Sequence, residues 1–164
     1  VIGVSEDREI LSYEQFGVAA RELAEAIAAD GFRPDAIVAI ARGGLLLAGA
    51  LGYALDVKTL GSLNVEFYTG VGETLDAPVI LPPTLDRDAL ASKRILLVDD
   101  VADSGRTLSL VVQLLRAGGG EVRTVCLYGK PWSVQEPDYV WRRTDRWIAF
   151  PWSVAEPVRY PVSS

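Results

Sequence analysis

One stretch constrains this chain more than any other. It is Ile95-Leu96-Leu97-Val98-Asp99-Asp100 followed, after Val101 and Ala102, by Asp103-Ser104-Gly105-Arg106-Thr107 and Leu108. The unbroken apolar run is that of a central parallel strand covered on both faces, which delivers Asp99 and Asp100 to the carboxyl edge, where open α/β sheets bind ligands. Two carboxylates there can accept hydrogen bonds from two neighbouring hydroxyls. The turn that follows leads into a helix, whose unpaired N–H groups and dipole favour a phosphate. Gly105 permits close backbone approach, and Ser104 and Thr107 add hydroxyl donors. One continuous segment therefore offers carboxylates for a diol and a cup for a phosphate, the pair of groups that a ribose 5-phosphate presents.

The rest of the chain alternates strands and helices around this segment. Ser12-Tyr13-Glu14-Gln15 has the capping-box pattern, and Phe16, Ala19, Ala20, Leu23 and Ile27 recur at helical spacing until Asp30-Gly31. A buried strand is expected over Ala36–Ile40, ending at Arg42-Gly43-Gly44. Leu45 to Leu55 reads as a helix enclosed on most sides, and a second strand is expected over Thr59–Phe67. Residues 68–92, rich in Gly and Pro, read as a long mobile flap, because connections beyond about 12 to 15 residues are uncommon without a binding role. After the central strand, Leu108, Val111, Val112 and Leu115 give a helix with one apolar face that stops at Gly118-Gly119-Gly120. Val122–Tyr128 is a further strand, with short late strands at Tyr139–Trp141 and Trp147–Phe150. The expected fold is α/β, a mostly parallel sheet flanked by helices, in a single domain over 1–164.

Composition narrows the function. A formal charge of −6 argues against nucleic acid or an anionic membrane surface as a partner, since both reward clustered Lys and Arg. The chain contains no histidine, which excludes Ser-His and Cys-His triads and histidine metal sites. Cys126 is the only cysteine, so no internal disulfide forms; a buried strand thiol and a cytoplasmic location are expected. No apolar run reaches the ~18 residues of a membrane-spanning helix.

With these residues in view, the segment Ile95–Leu108 resembles the binding motif for 5-phosphoribosyl-1-pyrophosphate (PRPP) of type I phosphoribosyltransferases. The resemblance runs from about Ser12 to Trp152 and implies roles residue by residue. Asp99 and Asp100 would hold the ribose hydroxyls and help order Mg²⁺, the expected metal. Ala102, Ser104, Gly105, Arg106 and Thr107 would form the 5-phosphate loop, and Asp103 would act catalytically in proton transfer with the base. Arg42, Gly43 and Gly44 resemble the pyrophosphate loop of the xanthine-guanine branch, in which the peptide before the arginine can be cis. Lys130 and the pair Trp147-Ile148 resemble the base site of the 6-oxopurine branch, with lysine donating to O6, the indole stacking on the base and backbone carbonyls meeting its 2-substituent. A lysine has donors only, which suits an oxo group and opposes the amino group of adenine. The family also implies a flap, a small C-terminal hood over about 130–160, and a homodimer or homotetramer. The implied reaction is salvage of a 6-oxopurine with PRPP, giving a nucleoside monophosphate and pyrophosphate.

Other readings stand beside this one. Ile95–Asp100 alone resembles the first strand of a response-regulator receiver, yet more than half the chain precedes it and Ser104–Thr107 has no receiver counterpart. Taken singly, Arg42-Gly43-Gly44 could be an ordinary turn, Lys130 a solvated lysine, and Trp147–Trp152 a core-forming or dimer segment. A transferase for another or modified base, or a PRPP- or nucleotide-sensing regulator of the same fold, are the alternatives. Ala149 and Ser153 stand where several relatives of this branch carry acidic residues, which leaves base preference and part of the metal-pyrophosphate contact open.

Overall fold

The apolar residues of the central strand divide between two sides. In the computed structural model, which describes residues 7–66, 69–70, 73–74, 79–80, 86 and 88–163, this strand is β7 (Arg94–Ala102), preceded by six others. They are β1 (Arg8–Ile10), β2 (Ala36–Ala41), β3 (Leu60–Glu66), β4 (Thr69–Gly70), β5 (Glu73–Thr74) and β6 (Val79–Ile80); β8 (Glu121–Gly129), β9 (Tyr139–Arg143) and β10 (Trp147–Ala149) follow. Successive strand side chains point to opposite faces. Leu96 and Val98 therefore enter one core with Ile37, Ala39, Val125 and Leu127, while Ile95 and Leu97 enter another with Val38, Ile40 and Cys126. The first core is covered by α1 (Tyr13–Ala29) and α2 (Gly44–Ala54), the second by α3 (Arg106–Arg116).

The sheet order is β6-β3-β2-β7-β8-β9, in which β3, β2, β7, β8 and β9 run parallel. The expected α/β fold with a mostly parallel sheet is thus the observed one. Ser12 caps α1 as its sequence predicts: its hydroxyl accepts from Gln15 N at 3.1 Å, and the Gln15 side chain accepts from Ser12 N at 3.1 Å. Cys126 is fully buried, and burial pushes its thiol well above the usual range. At the amino edge, Asp35 before β2 holds Arg94 at the start of β7 through two guanidinium contacts and the Arg94 N–H. No helix among the described residues is long and apolar enough to cross a membrane.

Three features differ from expectation. α2 is enclosed on one face only: Leu47, Ala48 and Leu51 are buried, whereas Leu45, Leu46 and Tyr53 are exposed. Apolar composition reports what a helix could bury, not how many sides its neighbours cover. Within the expected flap, Val79–Ile80 returns to the sheet as an antiparallel edge strand on Val65 and Glu66, and β4 pairs with β5; residues 68, 71–72, 75–78, 81–85 and 87 of the flap lie outside the described residues. Finally, β1 pairs in parallel with β10, Arg8 opposite Trp147 and Ile10 opposite Ala149, in a small separate sheet.

Candidate active site

β7 extends past its apolar run because β8 accompanies it further than β2 does. Pairing with β2 ends at Val98, but pairing with β8 continues through Asp99, Val101 and Ala102. Asp99 and Asp100 therefore leave the sheet at a step, with the β2 side open to the loop Arg42–Gly44. Each carboxylate turns back on the chain: Asp99 Oδ1 accepts from Asp100 N and Asp100 Oδ1 from Val101 N, both at 2.8 Å. Burial pushes both carboxyls up, Asp99 furthest, and the Asp100 charge adds to the rise at Asp99.

The loop after β2 lies directly against this pair. A β-carbon on Gly43 would overlap the Asp100 carboxylate, and one on Gly44 would overlap Val98 O and lie 3.1 Å from Asp99 Cα. The Ala41–Arg42 peptide is cis, and the Arg42 side chain is exposed. Glycine at both positions is what lets two adjacent strand ends close to this distance.

The turn after β7 leads into α3 where the sequence expects the cup. Ser104 Oγ accepts from Arg106 N at 3.3 Å, and Gly105, with φ 77°, precedes the first turn of α3. Asp103, Ser104 and Arg106 are exposed and Thr107 is half-buried. Gly105 is also backed by a second loop: a β-carbon there would overlap Ser133 Oγ and lie 2.7 and 2.9 Å from Gln135 N and Val134 N. Ala102 is buried, so it contributes its backbone; its carbonyl accepts from Lys130 N at 3.0 Å.

Beyond the cup, Asp103, Lys130, Trp147 and Ile148 line one cavity of about 420 Å³. Lys130 is only 7% exposed; its ammonium donates to Arg146 O and lies 5.4 Å from the centre of the Trp132 ring. Trp147 is 71% exposed and can offer a ring face, whereas Ile148 is buried. Five further residues that the sequence did not single out as base contacts line this cavity: Val101, Trp132, Asp145, Phe150 and Ser153. Phe150 and Trp152 do form core, stacked on one another at 5.0 Å with Trp152 edge-on to Phe16. The Trp132 indole N–H donates to Asp103 Oδ1 at 3.0 Å. Only its place directly after Lys130-Pro131 could have drawn attention to it, since an indole N–H in a pocket needs an acceptor.

A metal here would rest on few protein ligands. The described residues contain no cluster of three or more His, Cys, Asp or Glu side chains that could cage an ion. Two adjacent carboxylates raised by burial suit a Mg²⁺ that takes one or two protein oxygens and completes its shell with water and substrate phosphates.

Known proteins are similar to this chain in sequence and fold. The xanthine-guanine phosphoribosyltransferase of Ruegeria sp. (strain TM1040) is 34% identical over 157 residues, covering 88% of this chain and 85% of its own. That of Gluconobacter oxydans (strain 621H) is 36% identical over 122 residues, covering 73% and 68%. The crystal structure of the purine phosphoribosyltransferase from Pyrococcus horikoshii superposes with a TM-score of 0.80 at 36% identity, over 94% of this chain and 99% of that one. Residues 7–158 match the phosphoribosyl transferase domain; with its carboxylate pair, glycine loop and helix-leading turn at one sheet edge, the chain belongs to the phosphoribosyltransferase family.

Proposed function

We propose that this chain transfers the 5-phosphoribosyl group of PRPP to N9 of a 6-oxopurine in purine salvage, releasing pyrophosphate. The observation that carries the reading is the meeting of Lys130, Asp103, Trp147 and Ile148 on one cavity beside the phosphate cup. A buried ammonium with one hydrogen committed to Arg146 O keeps two donors for an oxo group and has nothing to offer the amino group of adenine. The names of the Ruegeria and Gluconobacter proteins support the same class of base, and that of the Pyrococcus protein supports a purine.

In this reading the Ser104–Thr107 turn holds the 5-phosphate, with Arg106 beside it, and Asp99 and Asp100 accept from the ribose hydroxyls. Arg42 and the Gly43-Gly44 amides face the pyrophosphate. Bound Mg²⁺ supplies positive charge that balances the carboxylates and the leaving phosphates. As N9 bonds to C1 of the ribose, the C1–O bond to pyrophosphate breaks, and the ring loses its N–H proton to the Asp103 carboxylate. Trp147 stacks on the base, and the backbone at Ile148 meets its 2-position. The work is positional and electrostatic.

Residues 1–164 then act as one domain, with the β1–β10 pair and the 130–160 segment over the base. Like its implied relatives it would assemble as a homodimer or homotetramer, in a reducing cytoplasm that suits its lone buried thiol. Incubation with PRPP and Mg²⁺ against guanine, xanthine, hypoxanthine, adenine and orotate tests the reading: a nucleoside monophosphate should form from 6-oxopurines. Preference for adenine or orotate would overturn the base assignment.

A further inference from the structure

The loop after β8 continues the β7–β8 partnership beyond the end of the sheet. Ala102 O accepts from Lys130 N at 3.0 Å, and Ser104 O from Val134 N at 2.9 Å. Between these two backbone bonds, the Trp132 side chain reaches the carboxylate of the intervening residue, Asp103 Oδ1, at 3.0 Å. The same indole lies under the Lys130 ammonium, 5.4 Å from its ring centre. All three residues line the cavity, and Trp132 remains 55% exposed, so nothing in the core requires it there.

We propose that Trp132 is a positioning residue for the transfer reaction: its N–H fixes the Asp103 carboxylate, and its ring face seats Lys130. The inference rests on the base-transfer reading above. A carboxylate that accepts a proton must present a chosen oxygen. With Oδ1 committed to the indole, Oδ2 has no protein donor among the described residues and is left to the ligand. A hydrogen bond to a charged acceptor is directional and stronger than a neutral one, so Trp132 limits the rotation of Asp103 about its Cβ–Cγ bond. The cation over the ring face limits Lys130 in the same way. One side chain thereby sets both the proton acceptor and the O6 donor.

Two measurements on the full chain test this. In the first, the indole ¹⁵N–H resonance of Trp132, assigned by its absence in Trp132→Phe, is recorded in the unsubstituted protein and in Asp103→Asn. Loss of the charged acceptor should move it upfield; an unmoved resonance would overturn the contact, whatever base the enzyme uses. The second is a double-mutant cycle with PRPP, Mg²⁺ and the best base of the panel. Trp132→Phe keeps a ring for Lys130 and removes the N–H, and should lower kcat about tenfold with KM for PRPP held within a few-fold. In the Asp103→Asn background, itself slower by about 10² to 10⁴, the same change should have little further effect. Equal effects of Trp132→Phe in both backgrounds would show that Trp132 does not act through Asp103. Transfer to adenine or orotate alone would refute the 6-oxopurine reading, while the resonance would still decide the contact.

Discussion

Gly43 lies so close to Asp100 that a β-carbon at position 43 would occupy the space of the Asp100 carboxylate. The backbone of Gly43 is ordinary, with φ −55° and ψ −35°, so the requirement for glycine is one of space, not of conformation. Gly43→Ala should therefore fold, with a melting temperature within a few degrees of the parent, while the displaced Asp100 loses its hold on the ribose. Calorimetry in Mg²⁺ should show PRPP binding weakened at least about tenfold, the equivalent of ~1.4 kcal/mol. Unchanged affinity would place the Asp100 carboxylate outside the PRPP site.

The raised Asp99 and Asp100 carboxyls predict that function costs stability here. For an acid whose folded value lies above its unfolded one, the favourable contribution is complete below the unfolded value and is lost as pH rises through the folded one. Asn at both positions keeps the acceptors for Asp100 N and Val101 N but removes the buried charges. In metal-free buffer at neutral pH the double variant should melt higher than the parent, and the gap should close as pH falls toward 4. It should also bind PRPP far more weakly; a lower melting point at every pH would contradict the electrostatic account.

Asp35 and Arg94 act in the opposite sense at the other edge of the sheet. Hydrogen bonds from the Arg94 side chain and backbone lower Asp35 to about 2 from an ordinary 3.8. The sign is that of a depressed acid: its contribution is present above the unfolded value and lost as pH falls through the folded one. Asp35→Asn should flatten the stability profile between about pH 4 and pH 2 and leave catalysis at neutral pH unchanged. Urea unfolding across that window is the measurement. An equally steep profile in the variant would assign the acid sensitivity elsewhere.

Lys130→Ala should separate base recognition from PRPP binding. Removing the charged partner of a closed-site oxygen costs roughly 1.5 to 3 kcal/mol. At ~1.4 kcal/mol per tenfold, kcat/KM for guanine or hypoxanthine should fall about ten- to a hundredfold, while PRPP affinity without base changes little. The preference over adenine should narrow. Equal losses for adenine and the 6-oxopurines would show that Lys130 serves something common to all substrates, such as the order of the 146–148 backbone through its bond to Arg146 O.

Much of this molecule was legible because its rules are local. The apolar run Ile95–Val98, the turn at Ser104–Thr107 and the Ser12–Gln15 cap each announce themselves within a few residues, and they lie where expected. Arg42-Gly43-Gly44 was legible as a loop, but its closeness to Asp100 comes from the pairing of β2 with β7. What stayed hidden depends on distant partners. β1 has three residues and no periodicity of its own, so only its pairing with β10, a strand the sequence did offer at Trp147–Phe150, defines it. Leu45, Leu46 and Tyr53 look like core by type and face outward because no element among the described residues covers that side of α2. Trp132 carries no spacing signature, since its link to Asp103 spans a strand and a helix.

The pairing of Arg8–Ile10 with Trp147–Ala149 also sets an order of assembly. Parallel strands at opposite ends of a sequence bring the slowest kind of contact, because almost the whole chain must be closed into a loop before they meet. During synthesis β1 precedes the other described strands and finds its partner only in β10, the last of them. The carboxylates, the turn into α3 and the parallel strands β2, β7 and β8 lie closer together in sequence and can form earlier. The strands that carry the carboxylates can thus pair before β10, with Trp147 and Ile148, meets β1.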